Sequence, residues 1–165
     1  MIILHEQQIR HKIKRLAIEV LERRMDDSAL VLAGLNNKGL VFAGLLLDAI
    51  EGIKPESLQV TLTRIRLNPA DPTAYDPVVE GGVEQLVNQS VLVVDDVSNT
   101  GRTLFYAVKP LLGVLPRRVE VAVLVDRKHK LFPIQPDYVG LSLYTTLKDN
   151  IEVTLEGPSL SVHLE

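Results

Sequence analysis

Two adjacent carboxylates, Asp95 and Asp96, close an apolar run, and a short polar stretch, Ser98-Asn99-Thr100-Gly101-Arg102-Thr103, begins one residue later. Acids in that position can accept hydrogen bonds from the hydroxyls of a sugar. Small residues with a glycine among them can turn backbone N–H groups toward a phosphate. One stretch therefore offers grips for a ribose and for a phosphate. The element before it reads as a strand: Val91, Leu92, Val93 and Val94 are all apolar and three of them are β-branched, the composition of a strand covered on both faces. The element after it reads as a helix over residues 103–108. Such a unit places a ligand at the carboxyl end of a strand in an α/β sheet, with the helix N-terminus behind the anion. A strand ending in Asp-Asp by itself usually marks a solvated turn; the loop behind the acids is what adds information. The chain has neither Gly-x-x-x-x-Gly-Lys-Ser/Thr nor Gly-x-Gly-x-x-Gly, so it lacks the Walker and dinucleotide signatures.

A second strand-loop-helix unit precedes it. Residues 29–35 read as a buried strand, which ends at Gly34-Leu35-Asn36-Asn37-Lys38-Gly39 and leads into a helix over residues 40–50. Lys38 supplies a point charge for a polyanion, and the small residues let backbone amides approach it. Alone, this is an ordinary turn with a surface lysine. Residues 58–67 alternate apolar and polar in their first half and read as a half-buried strand, with Arg64 and Arg66 on one face near its end. Residues 68–82 hold three prolines, two adjacent glycines and three acids. A loop of that length in a compact domain is functional or mobile more often than not, and it is placed to act as a lid.

The remaining elements are supports. Residues 5–25 form a first helix with Ile9, Ile13, Leu16, Val20 and Leu21 as its apolar stripe. Its Arg10, Lys12, Lys14, Arg15, Arg23 and Arg24 are interrupted by Glu6, Glu19 and Glu22, which favours a solvated face with local ion pairs over an RNA-binding surface. Pro110 ends or kinks the helix after the central loop. Residues 119–125 read as a buried strand and residues 126–140 as an exposed, shaped loop. Residues 151–155 and 160–164 form a terminal hairpin turned at Gly157-Pro158.

Bulk properties set bounds. At 165 residues and 46% hydrophobic content the chain reads as one domain, residues 1–165, with a sizeable core. There are no cysteines, which removes disulfides and thiolate metal sites, and the four histidines do not cluster. The net charge of −3 argues against non-specific nucleic-acid binding. No run is long enough for a membrane span and no signal-peptide core stands at the start, so the expected location is the cytoplasm.

The stretch over residues 91–103 resembles the phosphoribosyl-pyrophosphate (PRPP) signature of the type I phosphoribosyltransferases. Residues 121–140, with Ala-Val-Leu-Val-Asp-Arg and Pro-Ile-x-x-Asp-Tyr-Val-Gly, are similar to the PyrR family, pyrimidine-operon attenuation regulators that are also uracil phosphoribosyltransferases. Ile3-Leu4 with the first helix, and residues 34–39, are similar too, so the likeness spans nearly the whole chain. It implies an α/β type I phosphoribosyltransferase fold: a parallel sheet flanked by helices, with a small hood. It implies PRPP and Mg²⁺ as ligands, a homodimer or higher homo-oligomer, and transfer of the 5-phosphoribosyl group to uracil, giving UMP and pyrophosphate. By position, Asp95 and Asp96 would hold the ribose hydroxyls and, directly or through PRPP, Mg²⁺. Ser98, Asn99, Thr100, Gly101, Arg102 and Thr103 would wrap the 5-phosphate. Asn36, Asn37, Lys38 and Gly39 would form the pyrophosphate loop, and Lys38 with Arg64 would neutralise the leaving group. Val139, with its neighbours in the hood, would lie against the base.

The chain departs from the family pattern at several places. Asn37-Lys38 replaces Thr-Arg, which loses the bidentate fork of an arginine. Ile65 and Arg66 replace two acids, Lys128-His129-Lys130 replaces Gly-His-Arg, and Gln135 replaces a basic residue. Asn99 stands where purine-using relatives carry Asp. A neutral amide takes up no proton at neutral pH, which favours a pyrimidine, whereas Gln135 has a donor and an acceptor and could read a base edge of either class. The competing readings are an RNA-binding attenuator that senses pyrimidine nucleotides, a purine phosphoribosyltransferase, and a catalytically weak PRPP sensor.

Overall fold

The alternation of apolar side chains along the central strands dictates a sheet with a helical layer on each face. In the computed structural model, which describes residues 1–144 and 149–165, β2 (Ala29–Leu35) sends Leu30 and Leu32 to one core and Val31, Ala33 and Leu35 to the other. β5 (Ser90–Ser98) divides in the same way, Leu92 and Val94 against Val91 and Val93. The first core is closed by α1 (Glu6–Glu22) and α2 (Asn36–Glu51), and the second by α3 (Arg102–Ala107) and the 3-10 turns Val83–Leu86 and Lys109–Gly113. With β3 (Gln59–Arg66), β4 (Val78–Val79), β6 (Arg118–Arg127) and β7 (Tyr138–Leu143), the main sheet has the order β4-β3-β2-β5-β6-β7. It is parallel except for the edge strand β4, which runs antiparallel to β3.

A second, three-stranded sheet forms the hood. The expected terminal hairpin is present as β8 (Ile151–Thr154) and β9 (Ser161–Leu164), and β1 (Ile2–His5) joins it in the order β1-β9-β8. Val153, Leu155, Leu160, Val162 and Leu4 pack the hood onto the first core.

The structure corrects four local expectations. The first helix is shorter than residues 5–25 at both ends: residues 2–5 pair with β9 and the His5 N–H is bound by the Gln8 side chain at 2.9 Å as the helix begins, and after Glu22 the chain passes into a turn in which the Arg24 N–H donates to Leu21 O at 3.0 Å. Asn36, Asn37, Lys38 and Gly39 are the first turn of α2 rather than a separate loop; Asn36, at φ 50°, turns the chain from strand straight into helix. Residues 126–140 are not exposed throughout, since β6 continues through Asp126 and Arg127 and β7 starts at the fully buried Tyr138. The loop over residues 68–82 contains β4. As expected, the helix after the central loop gives way around Pro110, to a 3-10 turn.

Candidate active site

β5 carries Asp95 and Asp96 to the carboxyl edge of the sheet and stays paired with β6 as far as Ser98 opposite Asp126. The chain then turns through Gly101, whose φ of 87° suits only glycine; a Cβ there would also stand 2.9 Å from Ile134 Cγ2. The turn is braced from the next segment. Thr100 O accepts from the Leu131 N–H at 2.9 Å and the Phe132 N–H at 3.2 Å. Lys130 Nζ donates to Ser98 Oγ at 2.9 Å and Asn99 O at 2.7 Å, and pairs with the fully buried Asp126 at 2.6 Å. The braced turn encloses a recess of about 50 Å³ lined by Asp95 and residues 97–104. Its size and exposed backbone suit a small anion. Within it, Arg102 reaches outward, to Pro69 O at 2.8 Å, and Asn99 Oδ1 accepts from Arg127 Nη1 at 3.2 Å.

Next to this recess lies a chamber of about 510 Å³ walled by the first turn of α2, the end of β3, Pro69, Tyr75, both acids and Thr103. Gly39 makes it possible: a Cβ there would stand 2.7 Å from Val94 O and 3.3 Å from Asp95 Oδ1, so only a glycine lets α2 press against the end of β5. Asn36 Oδ1 holds the Leu67 N–H at 3.0 Å and locks that wall. Burial, with the neighbouring Asp96 charge, pushes the Asp95 carboxyl well above the usual carboxylate range, and Lys38 opposes the shift. One Asp95 oxygen accepts the Asp96 N–H at 2.9 Å. A third chamber, about 250 Å³, lies where Asn37, Lys38, Val41 and Asp96 face residues 152–156 of the hood. Asp95 is shared by the first two spaces, and Asp96 and Lys38 by the last two, so the three adjoin one another around the two acids and form the cleft.

The sequence matches the phosphoribosyl transferase domain model over residues 2–156. The chain belongs to the phosphoribosyl transferase family. Proteins named bifunctional protein PyrR from Halalkalibacterium halodurans and Bacillus velezensis are 34% and 35% identical to it, each over 93% of this chain and 89% of the relative. A crystal structure of a hypoxanthine-guanine phosphoribosyltransferase from Bacillus anthracis superposes with a TM-score of 0.70 at 20% identity, over 86% of this chain and 81% of that one. A second, with HEPES in its active site, also gives 0.70, at 21% identity over 87% and 84%. These two share the fold.

The two acids have the chemistry to hold a Mg²⁺ that would share its remaining ligands with a bound polyanion. Among the described residues no group of three or more His, Asp or Glu forms a cage, yet two adjacent carboxylates, one of them short of compensating charge, suit a cation that keeps most of its ligands from elsewhere. Arg64 does not wall the cleft; its guanidinium binds Glu80 Oε1 at 2.6 and 2.9 Å and Asn37 Oδ1 at 2.8 Å. Val139 is not in the hood. It sits in β7 of the main sheet opposite Val123, packed on the second core. Gln135 is exposed on the segment before β7, and neither residue walls the three spaces described. Reading the sequence named Arg66, Asp126 and Lys130 without placing them in the site, and it missed Tyr75 and the hood residues 152–156. The Asp-Arg at the end of β6 was visible as a motif, but the brace that this segment puts on the turn over residues 98–103 was not.

Proposed function

We propose that this pentosyltransferase moves the 5-phosphoribosyl group of PRPP to uracil, giving UMP and pyrophosphate. The observation that carries the reading is the row of adjoining spaces in which Asp95 and Asp96 stand between a small recess and a chamber bearing Lys38. That order matches PRPP: 5-phosphate in the braced turn, ribose hydroxyls on the two acids, pyrophosphate in the larger chamber.

The bond from ribose C1 to the pyrophosphate oxygen breaks, and its electron pair leaves with pyrophosphate. Uracil N1 bonds to C1, and the N1 proton goes to water. The sugar passes through an oxocarbenium-like state, as in glycoside chemistry. Asp95 and Asp96 set negative charge beside the developing cation, and Lys38 faces the departing anion. Mg²⁺ bound with the substrate would be held by these acids and would supply further charge neutralisation. Pro69 and Tyr75, from the loop before β4, wall the chamber and limit water.

Asn99 supports a pyrimidine. Its Oδ1 is engaged by Arg127, so its amide presents N–H donors and no base. The test measures PRPP consumption with uracil, hypoxanthine, guanine and orotate, beside calorimetry of Mg²⁺-PRPP on Asp96→Asn and Thr103→Val. Uracil-dependent turnover and weakened PRPP binding in both variants are expected. Preference for a purine would remove the uracil reading, and undiminished binding in both variants would remove the PRPP site.

A further inference from the structure

We propose that Arg66 is the arginine that grips the pyrophosphate group, and that Arg64 and Glu80 form its mounting. The inference rests on the PRPP reading above. Arg64 and Arg66 lie two apart on β3 and so share a face, but their guanidinium groups have different occupations. Arg64 spends Nε and Nη2 on Glu80 Oε1 and Nη1 on Asn37 Oδ1, and its side chain is only 18% exposed. Arg66 gives only Nε to Glu80, at 2.7 Å, and its side chain is 55% exposed. Neither Nη of Arg66 bonds a described residue, and Arg66 walls the chamber that holds Lys38, Asp95 and Asp96, whereas Arg64 does not.

Glu80 is fixed by its backbone. Its N–H donates to Arg64 O at 2.9 Å, and its carbonyl accepts from Thr63 Oγ1 at 2.9 Å and from the Gln85 side chain. A carboxylate anchored in this way orients Arg66 through Nε and leaves the two terminal nitrogens as an open fork. Hydrogen bonds from Arg64 and Arg66 hold the Glu80 carboxyl below the usual range, so it stays ionised at neutral pH. Two arginines against one glutamate leave the trio with a net charge of +1, and Arg66 is the member that walls the chamber. Lys38 offers a compact point charge; the Arg66 fork adds the planar, bidentate geometry that phosphate oxygens accept best.

The test is titration calorimetry of wild type, Arg66→Ala, Arg66→Lys and Asp96→Asn with two probes, Mg²⁺-pyrophosphate and ribose 5-phosphate. Ribose 5-phosphate shares the sugar and 5-phosphate of PRPP but has no pyrophosphate. Arg66→Ala is expected to weaken pyrophosphate binding about 10- to 100-fold and to leave ribose 5-phosphate binding unchanged. Arg66→Lys should recover only part of the loss, because it restores charge without the fork. Asp96→Asn should weaken both probes, because this acid meets the ribose hydroxyls and walls the chamber where Mg²⁺ would sit, which sets it apart from the one-sided loss in Arg66→Ala. Unchanged pyrophosphate binding in Arg66→Ala, or an equal loss for both probes, overturns the Arg66 assignment while leaving the PRPP reading in place. Wild type that binds neither probe overturns both.

Discussion

At the scale of single residues, the orientation of Asn99 decides what the turn can do chemically. The contact from Arg127 at 3.2 Å requires the amide oxygen on that side, so the rest of the amide has only N–H donors to offer. A purine acceptor must lose a ring proton, and general-base help with such a proton is typically worth ~10²–10⁴-fold. Asn99→Asp is expected to leave uracil kcat/KM similar or lower and to raise any trace activity with hypoxanthine or guanine. The rise should fall at the lower end of that range, because Arg127 would hold the new carboxylate ionised and make it a weak base. Steady-state kinetics with each base at saturating PRPP measures it; no change in purine turnover would show that this position does not control base choice.

At the scale of elements, the cleft depends on how closely α2 approaches β5, and two glycines of that helix separate packing from propensity. A Cβ on Gly39 meets Val94 O at 2.7 Å, whereas one on Gly44 meets nothing within 4 Å. Gly44→Ala should therefore stabilise the protein by about 0.5–1 kcal/mol through helix propensity alone. Gly39→Ala gains the same propensity but forces the helix off the strand, and overpacking of that kind costs about 1–3 kcal/mol. It should lower net stability and weaken Mg²⁺-PRPP binding together. Urea midpoints for both variants, with calorimetry on the second, make the comparison; a stabilised Gly39→Ala that binds normally would refute the close-approach argument.

At the scale of the whole molecule, electrostatics tie the layers together far from the cleft. Arg24, just past α1, is buried and pairs with Glu120 on β6, and the Tyr138 hydroxyl on β7 donates to the same carboxylate at 3.1 Å. Burial alone would raise the Glu120 carboxyl; the Arg24 hydrogen bond and charge, with Tyr138 and Arg118, outweigh it and hold it below its ordinary value. A depressed folded-state value stabilises the fold above the unfolded glutamate pKa of about 4.3, and that contribution is lost as pH falls through the folded value. Stability should therefore decline as the medium is acidified from about pH 5, and Glu120→Ala should remove this part of the decline. That variant should also cost about 3–5 kcal/mol at neutral pH, because Arg24 stays buried without its partner. Denaturant titrations across the acid range test both statements, and an unaltered profile would contradict them.

The same surface accounting bears on RNA. On α1, Arg10 pairs with Glu6 at 2.7 Å and Arg15 with Glu19 at 3.3 Å, while Lys12 and Arg15 cap carbonyls of residues 139 and 140. With basic side chains occupied in this way and a net charge of −3, specific RNA binding should be weak and should fade steeply with salt. Filter binding with pyrimidine-operon leader RNA at several ionic strengths checks this; tight, sequence-selective binding that survives physiological salt would disprove it.

Local pattern determined much of this protein. The apolar runs of β2, β5 and β6 carry their own evidence for a covered sheet, because side chains alternate between faces with a period of two. The strand, acids, turn and helix over residues 91–108 follow directly in the chain, so their adjacency needed no folding to be seen. Tertiary structure decided the matters that depend on partners distant in sequence. Glu80 engages Arg64 and leaves the Arg66 fork open, Arg127 turns Asn99, and Lys130 braces Ser98; each partner arrives on a different element. Residues 138–140 looked like the end of a loop because Pro133, Pro136 and the charges before them mask the start of a short edge strand, which the burial of Tyr138 and its pairing with β6 fix. Sequence periodicity records which face a side chain takes, while the use of a charged group is set by its nearest opposite charge in space.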